Sequence, residues 1–305
     1  MAMDAAYCPY DIAPLSALAG ARAASNQTPF GALHWVAFGP LDNQPVTVMV
    51  HGVNDDGDTW YPLLCAARAA GADLGSVLVV DLPGFGLSRG AQPVLDLVSV
   101  GDALLNVATG LGAGALRLVG HSMGALLVAD LALRHPSRIA SVHLVAGPYY
   151  SVLDVLSRRA ASREALVASA IYRAMYAMSL TGGPGMAVAR FAVRHGLGPL
   201  AFQGLAAHPW SLPRSILEHF VSGMRPRSFR AAARNGRRYP NGLTLAGVAQ
   251  PVWGVYGAAD RLVPGADCAR LLADVPTARV CVLRDAGHLP HIEQPGAALR
   301  ALGLI

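Results

Sequence analysis

The sequence predicts an α/β fold: a mostly parallel sheet flanked by helices, interrupted by a helical insertion. Through most of the 305 residues, short apolar runs alternate with longer helical patterns. Such alternation is the signature of a parallel sheet whose strands are joined by crossover helices. The runs are apolar throughout, without polar residues at every second position, as strands buried on both faces are. Between Gly147 and Gly247 the alternation stops, and it resumes at Pro251.

In chain order, the apolar runs place strands over 33–38, 46–50, 77–80, 116–119, 139–145, 252–256 and 279–283. Helical patterns cover 60–70, 94–109, 125–135, 263–273 and 293–302. The interrupting stretch is helical, arginine-rich and punctuated by Gly182-Gly183-Pro184-Gly185, Pro199, Pro209 and Pro213. It leaves one strand and returns to the next. It is therefore expected over the C-terminal ends of the strands, where α/β sheets place their ligands. No internal repeat or low-complexity linker is present.

Hydrophobic residues make up 53% of the chain and mean hydropathy is +0.39. No stretch approaches the ~20 uncharged apolar residues of a membrane-spanning helix. The excess is mostly alanine and valine, which suit buried parallel strands. Near the N-terminus, Asp4 and Asp11 without a cationic cluster, and Pro9 and Pro14 within the apolar stretch, differ from a secretory signal, so a cytoplasmic protein is expected. Cys8, Cys65, Cys268 and Cys281 lack paired spacing and are expected as reduced, packed thiols. All 24 basic residues are arginine, and 13 of them lie between residues 151 and 240 beside three acids. That stretch carries +10 and the rest of the chain −5.

The most informative local feature is Gly120-His121-Ser122-Met123-Gly124, set between a strand-like run and a helix-like run. A serine at the apex of so sharp a turn has a strained backbone, and the residues two before and two after it must be small. Gly120 and Gly124 meet that need. The bland alternative is a serine that only caps the following helix. An activated serine needs a base, and the base needs an orienting group. His288 follows the last apolar run in Asp285-Ala286-Gly287-His288, and Asp260 follows the preceding one in Tyr256-Gly257-Ala258-Ala259-Asp260. Asp81 and Asp285 are the alternative acids, the first read as a structural turn residue and the second as lying at the strand end. His291, read as a surface or loop residue, is the alternative base. His51 is expected to brace its loop and His121 to pack beside the sheet. Two backbone N–H groups should hold the developing oxyanion: Met123 at the start of the elbow helix, and Val53, turned inward by Gly52.

These residues give the chain its resemblance. With the elbow go the His51-Gly52 loop with Trp60 downstream and Asp81-Leu82-Pro83-Gly84-Phe85-Gly86-Leu87-Ser88. Further along stand Asp260 with Val263-Pro264, and Gly287-His288 followed by Glu293-Gln294-Pro295. Together they resemble α/β-hydrolase fold serine hydrolases of the capped esterase, lipase and carbon-carbon hydrolase group. The resemblance implies a core of residues 1–148 and 249–305, with a helical cap of residues 149–248 inserted after the sixth strand. It implies Ser122 as nucleophile, His288 as base, Asp260 as orienting acid, and Val53 and Met123 as oxyanion donors, in an enzyme that needs no cofactor. Many relatives carry Pro or Gly after the oxyanion residue, where this chain has Asn54-Asp55-Asp56. Serine at the elbow sets the chain apart from the dehalogenase and epoxide-hydrolase branches, whose nucleophile is a carboxylate.

The resulting expectation is hydrolysis of a carboxylic ester or related acyl bond through an acyl-enzyme. Its alternatives are carbon-carbon hydrolysis and thioester release or transfer from an acyl carrier protein; a non-catalytic binding protein on the same fold is a further one. In the insertion, Leu166, Ile171, Tyr172, Met175, Tyr176 and Met178 form an apolar helical stretch. It is either a packed helix or the wall of an acyl pocket, to which Tyr172, Met175 and Tyr176 are assigned. Arg227, Arg230 and Arg234 share one face of a helix expected from Pro226 to near Gly236. This is either a solvated face or a guide for an anionic substrate, an acidic carrier protein or a membrane surface. The expected substrate is a small acyl compound, apolar or anionic. Neither metal-ligand spacing nor a nucleic-acid-binding module is present, so no metal and no nucleic-acid partner is expected.

Overall fold

The computed structural model describes residues 6–42, 45–90, 96–148, 150, 152, 163–236 and 243–305. Each apolar run becomes a strand of one eight-stranded sheet: β2 (Gly31–Phe38), β3 (Val46–Val50), β4 (Val77–Val80), β5 (Leu116–His121), β6 (Ile139–Val145), β7 (Val252–Gly257) and β8 (Arg279–Leu283). Preceding them is β1 (Arg22–Thr28), which the sequence did not reveal. It is an edge strand, exposed along most of its length and polar in composition, so it lacks the apolar signature of the others. The strand order is β1-β2-β4-β3-β5-β6-β7-β8. β1 pairs with β2, and β2 with β4, antiparallel. From β4 to β8 every pairing is parallel.

Successive residues of a strand point to opposite faces, so the apolar runs feed two cores at once. Val46, Val48 and Val50 of β3 join Leu78 and Val80 of β4 in one layer, with helices α2 (Leu97–Gly110) and α3 (Met123–Arg134). Met49, Val77 and Val79 face the other layer, with α1 (Tyr61–Ala69) and the C-terminal helix. α1 begins one residue after Trp60, which ends a short helical turn (Gly57–Trp60). Asp96 caps α2 by accepting a hydrogen bond from Ser99 N–H; the two residues by which its expected start preceded this, 94 and 95, lie outside the described residues.

Between β6 and β7 the described residues are helical: α4 (Arg163–Thr181), α5 (Gly183–Arg194), α6 (Arg214–Gly223) and α7 (Pro226–Gly236). Val193, Phe202, Ile216 and Val221 pack there with Leu289, Ile292 and the N-terminal Cys8 in a third cluster. After β7 comes α8 (Ala266–Asp274), and after β8 come α9 (Pro290–Glu293) and α10 (Pro295–Ala301). One helix was expected over 293–302; Glu293 instead ends α9, and Pro295, which has no N–H to continue the ladder, starts α10. No helix among the described residues is long and apolar enough to cross a membrane.

Candidate active site

Ser122 sits between β5 and α3 with φ +51° and ψ −119°, a conformation that L residues rarely hold. Its neighbours explain how the turn closes. A Cβ on Gly120 would lie 2.5 Å from Gly124 O, and one on Gly124 would overlap Val50 O and lie 2.6 Å from His51 O. Glycine is therefore required at both positions, and the strain concentrates on Ser122.

Three side chains from the ends of β5, β7 and β8 converge. His288 Nε2 lies 3.0 Å from Ser122 Oγ, and His288 Nδ1 lies 2.7 Å from Asp260 Oδ2. Asp260 Oδ1 accepts hydrogen bonds from the N–H groups of Leu262 and Val263 at 2.8 and 2.9 Å. All three residues are buried. With its carboxylate fixed by two backbone donors, Asp260 holds the imidazole with Nδ1–H toward itself, which leaves Nε2 as the acceptor facing the serine hydroxyl.

The loop that carries His288 is held from several sides. Glu293, fully buried, accepts from Gly287 N–H (2.8 Å) and Leu289 N–H (3.1 Å) with Oε1, and from Ala207 N–H (2.8 Å) and Tyr7 Oη–H (2.9 Å) with Oε2. Burial raises its pKa while these four donors work the other way. His288 N–H donates to Leu205 O, and a Cβ on Gly287 would overlap that same carbonyl and meet Ala206 Cα at 2.8 Å. His121 Nε2 lies 2.9 Å from His288 O. Burial, then His291 and His288, hold the His121 imidazole well below its usual range, so it is neutral and donates through Nε2–H.

On the other side of Ser122, the β3 loop approaches closely. A Cβ on Gly52 would lie 3.1 Å from Ser122 Cβ. Val53 follows it on the cavity wall, and Met123, as the first residue of α3, has an N–H without an intrahelical partner. His51 Nδ1–H donates to Gly52 O (2.7 Å) while its Nε2 accepts from Leu82 N–H (2.9 Å), bracing the loop. Asp81 is a turn organiser: it accepts from Gly57 N–H (2.7 Å) and Leu87 N–H (2.8 Å) and lies 3.1 Å from His34 Nδ1.

One contact here had no signal in the sequence. Asp55 Oδ1, two residues past Val53, lies 2.8 Å from His219 Nε2 on α6, 164 positions away. Burial alone would depress the His219 imidazole, but the hydrogen bond and charge of Asp55 hold it up at about 9. Burial likewise opposes ionisation of Asp55, yet His219 brings its pKa below the ordinary carboxylate value. Donor atoms of Asp55, Asp56 and His219 lie within 4.8 Å of one another, a spacing metal ligands also have. In this structure His219 Nε2 instead faces Asp55 Oδ1 at 2.8 Å as an ion pair.

Two apolar cavities meet at Ser122. The larger, about 480 Å³, runs beneath α4, α5 and α6 and is lined by Met175, Met178, Ala192, Phe202 and Phe220 among others. The smaller, about 100 Å³, lies toward α2, α3 and α7, with Leu97, Met123, Tyr172, Phe229 and Ala232 on its wall. Val53, Ser122, Met175 and Leu262 line both. No arginine lines either one among the described residues.

Of the pocket residues expected from the sequence, Tyr172 and Met175 are on the walls, whereas Tyr176 packs against Tyr172 and Phe229 and lines neither cavity. Leu166 faces outward, 62% exposed. Asp285 is exposed and lies 3.8 Å from His208. Two expectations need correction. His291 is fully buried, not a surface residue: it is the second residue of α9, its ring packs tilted against those of Trp60 and His121, and it lies 3.0 Å from Thr59 Oγ1. Of the four free cysteines, Cys8 and Cys268 are buried, but Cys65 and Cys281 are half-exposed, the latter because β8 closes the edge of the sheet.

The model of the alpha/beta hydrolase family matches residues 47–302. Over 271 residues the chain is 27% identical to the dihydrolipoyllysine-residue acetyltransferase component of an acetoin cleaving system from Pseudomonas putida, covering 86% of this chain and 63% of that protein. It is 28% identical to a pimeloyl-[acyl-carrier protein] methyl ester esterase from Aeromonas hydrophila, covering 82% and 91%. It spans only 43% and 47% of two bifunctional biotin-biosynthesis relatives. Among solved structures, a thermophilic esterase from Thermogutta terrifontis superposes with a TM-score of 0.66 at 23% identity, covering 92% of this chain and 97% of that one.

Proposed function

Since the chain belongs to the alpha/beta hydrolase family, we propose that it is a serine hydrolase that cleaves esters of apolar acyl groups through an acyl-enzyme. The observation that carries this reading is the relay from Asp260 through His288 to Ser122, set where two apolar cavities meet.

In the proposed reaction Ser122 Oγ attacks the acyl carbonyl while its proton passes to His288 Nε2. The oxyanion of the tetrahedral intermediate accepts hydrogen bonds from the Val53 and Met123 N–H groups, the latter aided by the positive end of α3. Collapse expels the alkoxide, which takes the proton from His288, and leaves the acyl group on Ser122. A water then attacks that ester, giving its proton to His288, and the acid departs as Ser122 recovers its proton. Residues 149–248 act as a cap over a core formed by residues 1–148 and 249–305. The cavities favour apolar groups on both sides of the scissile bond, because among the described residues no arginine lines them to pair with a carboxylate.

A carrier-bound acyl ester is the second reading, supported by the pimeloyl-[acyl-carrier protein] methyl ester esterase relative. Both readings are tested by a fluorophosphonate probe and a panel of p-nitrophenyl esters. Stoichiometric labelling at Ser122, lost in Ser122→Ala together with ester hydrolysis, is the expected result. Folded protein that resists the probe, or a Ser122→Ala variant as active as the parent, overturns the proposal.

A further inference from the structure

We propose that the outer face of α4, α5 and the turns after them docks on an anionic lipid surface, with the mouth of the larger cavity opening onto it. The docking goes beyond the hydrolytic reading; only the idea that acyl substrate enters from the lipid rests on that reading.

Large apolar side chains are exposed where a helix in water would be polar. Leu180 ends α4, Val188 and Phe191 lie on α5 at 68% and 60% exposed, and Leu197, Leu200 and Trp210 follow on the connecting turns. Single exposed apolar residues need no explanation, but a cluster on one short segment does. Arg173, Arg190 and Arg194 are exposed on the same two helices, and Arg227 and Arg234 on α7, which packs against α4. Between residues 163 and 236 the acids are Glu164 and Glu218 alone, and Glu218 is taken up by Arg214 at 2.7 Å. Aromatic and aliphatic side chains interleaved with arginines, and few acids to repel phosphate, are the chemistry of a helix that lies in the interface of an anionic bilayer.

The cavity ties this face to the site. Thr181, Val188, Leu197 and Ala201 line the larger cavity and are themselves exposed, so its mouth lies among them. An acyl chain leaving a bilayer at this face would meet an apolar passage down to Ser122 without crossing water. A solvated face accounts for the arginines but not for Phe191, Leu180 and Leu200. An acidic carrier protein, too, would be held by charge without needing those side chains.

Co-sedimentation with vesicles tests the proposal, comparing phosphatidylcholine alone with an equal mixture of phosphatidylcholine and phosphatidylglycerol. The full chain should pellet with the mixed vesicles, less so as salt rises, and stay in solution with the neutral ones. Arg190→Glu/Arg194→Glu should weaken binding by about fivefold or more per arginine, and Phe191→Asp by roughly tenfold or more. None of the three positions lines either cavity, so both variants should hydrolyse soluble p-nitrophenyl acetate like the parent, which also reports that they fold. Ser122→Ala should bind vesicles normally, which separates docking from the proposed chemistry. Parent protein that ignores mixed vesicles at low salt overturns the proposal. So does vesicle binding that survives both surface variants, or capture by an acidic acyl carrier protein that Phe191→Asp leaves intact while vesicles are ignored.

Discussion

His219 Nε2 lies 2.8 Å from Asp55 Oδ1, so a buried ion pair joins α6 to the loop that presents the Val53 N–H. Arg225 N–H donates to Asn54 Oδ1 at 3.2 Å in the same loop, and Asn54 itself has φ +59°. The helices between β6 and β7 thus hold the loop beside Ser122 in a conformation that it would not take up alone.

The pair makes stability depend on pH with a definite sign. The His219 imidazole keeps its proton in the folded protein up to about 9, against 6.5 in the unfolded chain. Its contribution is complete below about pH 6.5, declines between 6.5 and 9 and is gone above 9. The amount lost is on the order of 3 kcal/mol. Denaturant midpoints of the parent should therefore fall between pH 7 and pH 9.5, and those of His219→Gln should change less over the same range. His219→Ala, which leaves the Asp55 carboxylate buried without its partner, should be destabilised by about 3 to 5 kcal/mol at pH 7. A midpoint for His219→Gln that tracks the parent across this range would exclude the pair as its source.

The relay predicts different failures at its three positions. Ser122→Ala and His288→Ala should each lower kcat by roughly 10⁴- to 10⁶-fold with modest changes in KM. Asp260→Asn is more informative. Its amide oxygen would remain with the Leu262 and Val263 N–H groups, turning the amide NH2 toward His288 Nδ1. The imidazole would then accept at Nδ1 and carry its proton on Nε2, where it can no longer receive one from Ser122. A loss of about 10⁴-fold in kcat is expected without loss of fold. Steady-state kinetics beside circular dichroism separate this from misfolding.

The relay could be read before the fold because Ser122, Asp260 and His288 each stand just after an apolar run, and parallel strands deliver such positions to one rim. The same logic located the strands of the parallel sheet. It missed β1, whose Arg22, Ala23, Ala24 and Ser25 are exposed and give no buried periodicity. His219 and Glu293 were illegible as partners for another reason. Their contacts, to Asp55 and Tyr7, join segments far apart in the chain, and nothing local marks a histidine or glutamate as buried. His291 misled in the same way, since its burial comes from Trp60 and His121.

Glu293 offers a test of how far the His288 loop depends on its support. A glutamine there has one oxygen for four donors, so its NH2 must face donors that it cannot satisfy. Each unmet buried group costs about 1 to 3 kcal/mol. Glu293→Gln should therefore lower thermal stability and also lower kcat, because Gly287 and Leu289, which flank His288, lose their anchor. Unchanged melting and unchanged kcat together would show that Leu205 O and His121 hold the loop unaided.

The two cavities predict which part of the substrate each variant disturbs. Ala192 lines only the larger cavity and Ala232 only the smaller, and both are half-buried, so a larger side chain can enter the space without breaking the core. Ala192→Phe should leave esters with two short arms nearly untouched and lower kcat/KM for those with one long arm by roughly tenfold or more. Ala232→Phe should instead penalise branching or bulk on the shorter arm, whose space is about 100 Å³. A panel in which acyl and alcohol parts are lengthened separately will show which arm occupies which cavity. If both variants lose activity equally on every ester, short or long, the two spaces do not sort the arms of the substrate. The preference would then have to arise at the mouth, among Val188 and Leu197.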